Sequence, residues 1–390
     1  MDYLKQPVIF KIKKVLRYIT LFGFARTLMK MKGQLHLKKR FETLPNKSKN
    51  LSDKQFVGLI GSGNFAYTTI AYFLRKNLGR VIGGCMDTDI HRAASLSQEY
   101  NIPMYTTNVN ELLDNDKIKM LYIASYHSSH AEYAIEALNR DKHVYIEKPH
   151  IVNDDQLKRL VEAMSNSKGK VFLGFNRPTS RFGALMQDCF NNEDGPGMYN
   201  WFVGGHDLEP DHWYHNDGEG GRIMGNVCHW TDHILRLVPE ENAYPIKITP
   251  TRFDTPDVNI AVTYTFNDGT IASITFAAKG HTFEGVKERF VGYKGNCLIT
   301  MDDFKTMTVE VINRKKLYKN FYRDHGHESS IVSAVKNVIS NEPQNKNKNI
   351  TYIWNTGMLV LKTKQALDEN KIINIHSFEK EFDFRKEVNK

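Results

Sequence analysis

The chain holds several residues whose types and spacing suit the binding of a nucleotide. Gly61-Ser62-Gly63-Asn64-Phe65-Ala66 follows the apolar run Phe56 to Ile60, and Ile70, Ala71, Phe73, Leu74 and Leu78 then recur at helical spacing up to Gly79. Strand, glycine turn and helix in that order make a dinucleotide-binding turn. Gly61 permits the tight turn, Gly63 lets a diphosphate approach the backbone, and Ala66 takes the third small-residue position. The phosphates would lie at a helix N-terminus, where unpaired N–H groups and the dipole favour anions. A second apolar run, Val81 to Met86, ends in Asp87, 21 residues beyond Ala66. That is where such a fold places a carboxylate on the adenosine ribose. The carboxylate should repel the extra phosphate of NADP and favour NAD, although His91 and Arg92 keep NADP open. Further on, the run His143 to Ile146 ends in Glu147-Lys148-Pro149, an ammonium at a strand end whose backbone the proline restricts.

These residues need a frame. Beyond residue 53 apolar runs and helical patterns alternate: helix Asp89 to Tyr100, strand Ile102 to Tyr105, helix Val109 to Leu113 and strand Met120 to Ala124. A capping box, Ser129 with Glu132, opens a helix through Leu138; strand His143 to Ile146, helix Asp154 to Ser165 and strand Lys170 to Phe175 follow. Regular alternation predicts a doubly wound parallel sheet with its ligand at the carboxyl edge, over residues 51–176. From residue 177 the pattern changes. Val258, Ile260, Val262, Tyr264 and Phe266 alternate with smaller residues, and Asn267-Asp268-Gly269 turns into Thr270 to Ala278. Further strands are expected at Ile246 to Arg252, Glu288 to Tyr293, Cys297 to Met301 and Thr308 to Ile312, and helices at Glu328 to Ile339 and Tyr352 to Asp368 around a loop from Asn341 to Asn349. Residues 177–390 therefore read as an α+β domain, an open, mostly antiparallel sheet with helices on one face. Its small, Thr-rich other face suits a second subunit, so a homo-oligomer is expected.

The formal charge of +9 is unevenly placed: residues 1–50 hold 13 Lys or Arg against 2 Asp or Glu, and the remainder 40 against 42. A near-neutral body excludes a general nucleic-acid footprint. Within that basic arm Val8, Ile9, Ile12, Val15, Leu16, Ile19 and Phe22 share a helical arc opposite Lys13, Lys14 and Arg17; Gly23 interrupts, and a second helical piece runs to about Lys32. The arm has two readings. It docks on the body or a sister subunit, or residues 8–32 lie on an anionic membrane surface, which would suit an enzyme feeding surface-polysaccharide assembly. No signal peptide or membrane span is expected. Cys85, Cys189, Cys228 and Cys297 are widely spaced, so neither a zinc site nor a disulfide framework is expected, and the compartment reads as cytoplasmic, with peripheral contact at the inner face of the membrane under the second reading.

Taken together, Gly61-x-Gly63-x-x-Ala66, Asp87, Ala124-Ser125 leading to His130, Glu147-Lys148-Pro149, Gly174-Phe175-Asn176-Arg177 and the helix start from Gly221 to Asp232 resemble the glucose-fructose oxidoreductase, inositol dehydrogenase and MocA family, over about residues 55–370. The resemblance implies a Rossmann domain binding NAD(P) through Gly61 to Ala66, Asp87, Arg92, Ser125, His130, Glu147 and Lys148. It also implies a sugar or nucleotide-sugar substrate, a Lys148 that polarises the reacting hydroxyl, and a His229 that exchanges its proton. Both groups make chemical sense: an alcohol oxidised by hydride loss must also lose a proton, and a nearby cation stabilises the developing alkoxide.

Substrate contacts are expected from Asn176 and Arg177 at the sixth strand's end, from Asn226 and Asp232 around His229, and from Trp213 in the polar loop His206 to Asp217, which also holds Asp207, Asp211, His212 and His215. His212 and His215 have metal-compatible spacing, but a solvated or substrate-binding loop explains them better, and no metal is expected. The chain departs from the family where Gly225 replaces a common Asp and Ser125-Tyr126 replaces a usual Thr-Pro. Two alternatives stand beside this reading: an NAD-dependent lyase or glycosidase acting by transient oxidation, and a noncatalytic NAD-binding regulator, which Gly225 and the added arm favour.

Overall fold

A computed structural model describes residues 6–48, 50–206, 208–209, 211–252, 259–280 and 284–376. Asp207 and Val258 lie outside these. The chain divides into two compact units: Asp2–Asn176 with Gly326–Ile353, and Arg177–His325 with the chain from Trp354 onward.

The first unit opens with helices α1 (Val8–Phe22) and α2 (Phe24–His36), separated at Gly23. The second is a turn longer than its apolar pattern suggests. There follow β1 (Val57–Ile60), α3, which begins as a π-helical turn at Ala66–Ile70 and continues as Ala71–Leu78, then β2 (Ile82–Met86), α4 (Ile90–Tyr100), β3 (Met104–Thr106) and α5 (Asn110–Leu113). β4 (Met120–Ile123), α6 (His127–Leu138), β5 (His143–Ile146), α7 (Asp154–Asn166) and β6 (Val171–Leu173) complete the alternation. The six strands form a parallel sheet in the order β3-β2-β1-β4-β5-β6. The order reverses between β1 and β4, which opens the crevice at the sheet's carboxyl edge. The strands read as continuous apolar runs because both faces are covered: Val57, Leu59 and Ile60 are fully buried.

One expected device did not form. α6 begins at His127, two residues before the proposed capping Ser129, whose hydroxyl instead donates to the Tyr126 carbonyl at 2.8 Å. Glu132 is drawn away to Arg159 (2.7 Å) and Gln156 (3.0 Å) on α7. A charge-assisted pair with a guanidinium outcompetes a neutral backbone N–H.

The second unit contains α8 (Arg181–Asn191), β7 (Gly197–Gly204), α9 (Cys228–Leu235), α10 (Glu240–Ala243), β8 (Ile246–Arg252), β9 (Ile260–Thr265), β10 (Ile271–Ala277), β11 (Lys287–Lys294), β12 (Cys297–Asp302), β13 (Thr306–Val311) and β14 (Arg314–Lys319). Among the described residues these strands and β15 (Ile373–Ile375) build a nine-stranded sheet, β14-β13-β12-β11-β7-β10-β9-β8-β15, antiparallel except where β7 meets β10. The central strand β7 is absent from the sequence reading although Gly197 to Val203 alternates buried and exposed strictly. Tyr199, Trp201, Ile274, Tyr264 and Phe290 are buried on one face, where Phe190 of α8 and His233 of α9 meet the sheet. Met198, Phe202, Val291 and Tyr293 are exposed on the other.

Two helices follow β14. α11 (His327–Ile339) belongs to the first unit and not, as its place in the sequence suggests, to the sheet domain. Its Ile331, Val332 and Val335 join the core made by Val57, Leu59 and Tyr122, and the Tyr122 hydroxyl donates to the Ile331 carbonyl at 2.6 Å. α12 (Lys346–Glu369) begins inside the segment expected to be a loop. Asn345 caps that start, its side chain accepting from the Lys348 N–H at 3.1 Å.

Candidate active site

In the first unit the glycine turn has the shape its chemistry needs. Gly61 lies at φ +88°, and a Cβ there would sit 2.5 Å from the Ala124 carbonyl oxygen, so no other residue fits between β1 and β4. A Cβ on Gly63 would meet nothing within 4 Å. The turn therefore offers open space where a diphosphate would lie, against the first turn of α3. Asp87, at the end of β2, accepts from the Ser62 N–H at 2.8 Å and the Asp89 N–H at 2.9 Å. Its carboxylate is fixed beside the turn with lone pairs to spare for ribose hydroxyls.

The carboxylate nearest Arg92 among its ion pairs is that of Asp89. The two lie 3.6 Å apart, and Asp89 also pairs with Arg40 at 3.2 Å and caps α4. His91 accepts the Phe41 N–H at 3.2 Å. Two guanidiniums thus gather at Asp89, two residues past Asp87.

The ends of β4 and β5 are tied by His130. Its Nδ1 lies 2.8 Å from the Pro149 carbonyl and its Nε2 3.1 Å from the Ser125 carbonyl. Burial and the Lys148 charge push its pKa down to about 4, burial being the larger cause, so the neutral ring donates to one carbonyl at a time. Both nitrogens lie against backbone carbonyls, which makes His130 a clamp on the two loops. Ser125 bonds Ser129 at 2.7 Å. Glu147 is buried, and a Cβ on Gly174 would strike its carboxylate at 2.8 Å. Desolvation raises Glu147 to about 7 against the opposing pull of Lys148. Lys148 is half-buried between it and a cis bond to Pro149.

Asn176 is buried with its amide 3.4 Å from His327 Nδ1, and the His327 ring tilts on Phe65 at 5.7 Å. His327 thus joins the turn residue Phe65 to the end of the β6 loop. Sequence reading missed it because it lies 151 residues from Asn176 and 262 from Phe65 (327 − 65), and nothing local marks it.

In the second unit α9 is approached through a π-helical turn, Ile223–Val227, after positive-φ Gly218, Gly220 and Gly221. Such wide turns recur at functional positions. Asn226 and His229 are each 8% exposed, and the His229 ring stands edge-on to Trp230 at 6.0 Å. Trp213 is half-exposed in a short 3-10 turn, stacked on His212.

Two expected substrate contacts are committed elsewhere. Arg177 is a buried strut: its guanidinium pairs with Glu288 at 2.6 Å and lies over the Trp230 ring at 4.8 Å, while the Trp230 indole N–H donates to the same carboxylate at 2.8 Å. Asp232 is fully buried, accepting from Arg236 (3.1 Å) and Thr356 (3.1 Å). Both hold α9 from behind. Among the described residues no group of three or more His, Cys, Asp or Glu is arranged to hold a metal, and the cysteines are free thiols.

A glycine turn after β1, a carboxylate at the end of β2 and a lysine beyond β5 lie on the carboxyl edge of a doubly wound parallel sheet, the edge at which such folds bind nucleotides. Residues 56–175 match the family model GFO_IDH_MocA, described as the oxidoreductase family, NAD-binding Rossmann fold. The chain is similar to an oxidoreductase of Formosa agariphila, 33% identical over 120 residues that cover 31% of this chain and 37% of that protein. It is also similar to the uncharacterized oxidoreductase YrbE of Bacillus subtilis, 24% identical over 66% of this chain and 77% of that one. The match to the Formosa protein thus spans little more than a third of its length. Among solved structures, levoglucosan dehydrogenase in complex with NADH and levoglucosan shares the fold: TM-score 0.68, 14% identity, 82% of this chain and 98% of that one.

Proposed function

We propose that the chain is an NAD-linked dehydrogenase acting on a hydroxyl, or the corresponding ketone, of a sugar or nucleotide sugar. The observation that carries this reading is the glycine turn, open at Gly63 and flanked by the fixed Asp87 carboxylate. Gly61 to Ala66, Asp87 and Ser125 would hold the cofactor, which supplies a hydride acceptor when bound; Asp87 favours NAD over NADP. Lys148 stabilises charge on the reacting oxygen and His229 takes its proton, with Asn176, Asn226 and Trp213 as substrate contacts. The buried Glu147 sets the field around Lys148. The substrate class draws support from the levoglucosan bound by the structural relative. Widely spaced free cysteines fit a reducing cytoplasm.

The experiment is a screen of sugars and nucleotide sugars for NADH absorbance, repeated with Lys148→Ala and His229→Ala. Each variant should lose about 10²-fold or more in kcat while binding NAD nearly as before. Near-normal turnover in either would reject that residue's role.

Two associations accompany this reading. The exposed face carrying Met198, Phe202, Val291 and Tyr293 suits a second copy of the chain. The outward rows Val8, Ile9, Ile12 and Leu16 on α1, and Phe24, Leu28, Met31 and Leu35 on α2, are exposed beside lysines and suit an anionic lipid surface. No described helix is long and apolar enough to cross a membrane.

A further inference from the structure

We propose that α2 is part of the cofactor site: His36 fixes the Ser62–Gly63 peptide and so aims the Gly63 N–H at the dinucleotide diphosphate. The proposal rests on the NAD reading above and assigns a role to a helix that precedes the dinucleotide fold.

His36 is buried, with Nε2 2.7 Å from the Ser62 carbonyl and Nδ1 2.9 Å from the Ser95 hydroxyl. A carbonyl only accepts, so Nε2 carries the proton and Nδ1 accepts from Ser95. Burial lowers the ring's proton affinity and keeps it neutral. The ring also stacks on Tyr67 at 4.1 Å, inside the π-helical first turn of α3. Ser62 is thereby gripped three ways: its carbonyl by His36, its N–H by Asp87 at 2.8 Å and its hydroxyl by the Met86 carbonyl at 3.1 Å. In a planar trans peptide the C=O and the following N–H point in opposite directions. Holding the Ser62 oxygen toward α2 therefore turns the Gly63 N–H away from it, and at Gly63 a Cβ would meet nothing within 4 Å.

The helix is pressed onto the turn to make this contact. A Cβ on Gly33 would fall 2.3 Å from Asn64 Oδ1 and 2.3 Å from Thr68 Cγ2, so only glycine lets α2 come this close. Arg26 donates to the Thr68 carbonyl, and Lys32 pairs with Glu99 at 2.6 Å. His36 is a positioning residue, acting on the ligand through the Ser62 peptide.

The test uses the full chain and titrates NAD, ADP and adenosine. His36→Phe keeps the ring on Tyr67 and removes the donor; it should weaken NAD and ADP about tenfold and adenosine less than about twofold, because the lost alignment concerns phosphate alone. His36→Gln, which keeps an N–H donor, should restore ADP binding to within about threefold. Ser95→Ala, which leaves the imidazole on the Ser62 carbonyl but removes the hydroxyl that holds Nδ1, is the milder variant and should cost about threefold for ADP. Wild type that binds neither NAD nor NADP nor ADP removes the cofactor reading and this proposal with it. Wild type that binds, with ADP unaffected in both His36→Phe and Ser95→Ala or with adenosine weakened as much as ADP, overturns the clamp and leaves the cofactor reading standing.

Discussion

At the residue scale the decisive question is which polar groups are committed to the protein and which are left for a ligand. Asp87 accepts two backbone N–H bonds and keeps its position without a cation. Replacing it by Ser removes the charge that repels a ribose phosphate, while Arg40 and Arg92 remain two residues away at Asp89. Asp87→Ser should shift the ratio of NAD to NADP dissociation constants toward NADP by about tenfold or more. Wild type binding NADP as tightly as NAD would reject Asp87 as the selector. Glu147 makes a different kind of prediction. Its pKa of about 7 exceeds the ordinary 4.5, so between those values the folded state binds more protons than the unfolded one. Stability from this group is full below pH 4.5 and is lost as pH rises through 7, on the order of 3 kcal/mol. His130, depressed to about 4, works in the opposite sense below pH 6.5, so the difference between wild type and Glu147→Gln isolates the carboxyl. The variant should gain on wild type in melting temperature from pH 5 to pH 8. Parallel curves would show that the carboxyl is not held neutral.

At the scale of elements, legibility followed the range of the interactions. The glycine turn and hairpin at Asn267 to Gly269 were readable because backbone geometry there is set within a few residues. The capping box at Ser129 failed because Arg159, 27 residues from Glu132, offered the carboxylate a better partner. Arg177 and Asp232 were read as substrate contacts because their types and places suit one; only the packing of β11 and α12 reveals Glu288 and Thr356 behind them. β7 is missing from the sequence reading although Tyr199, Trp201 and Val203 alternate with Met198, Asn200 and Phe202. The Arg177–Glu288–Trp230 group has an energetic signature of its own. Glu288→Ala leaves a buried guanidinium without its counter-charge and should cost about 3–5 kcal/mol in denaturant melts, whereas Arg177→Met with Glu288→Leu should recover most of it. An additive loss in the double variant would contradict the pairing.

At the scale of the whole molecule, the basic arm was legible as two helices but not as to what they touch. α2 turns Thr27, Met29, Gly33 and His36 inward and Phe24, Leu28, Met31 and Leu35 outward, so both readings of the arm find a face. Removing residues 1–50 should lower the melting temperature of the first unit, because Met29 belongs to its core. The full chain should float with anionic liposomes at low salt and release at high salt, each basic residue contributing up to about 1 kcal/mol. A full chain that ignores anionic vesicles at low salt would remove the lipid reading.

The return of α11 to the first unit bears on how the chain acquires its fold. Ile331, Val332, Ala334 and Val335 fill a core whose other buried members come from residues 29–145, and Ser330 meets the Tyr145 hydroxyl at 2.9 Å across 185 residues. During synthesis the parallel sheet is complete by Leu173, yet one side of it stays uncovered until about 160 further residues have emerged. Closure on so distant a segment raises the contact order of the whole molecule. A fragment ending at Asn176 would carry every cofactor residue named here and still lack a wall of its core.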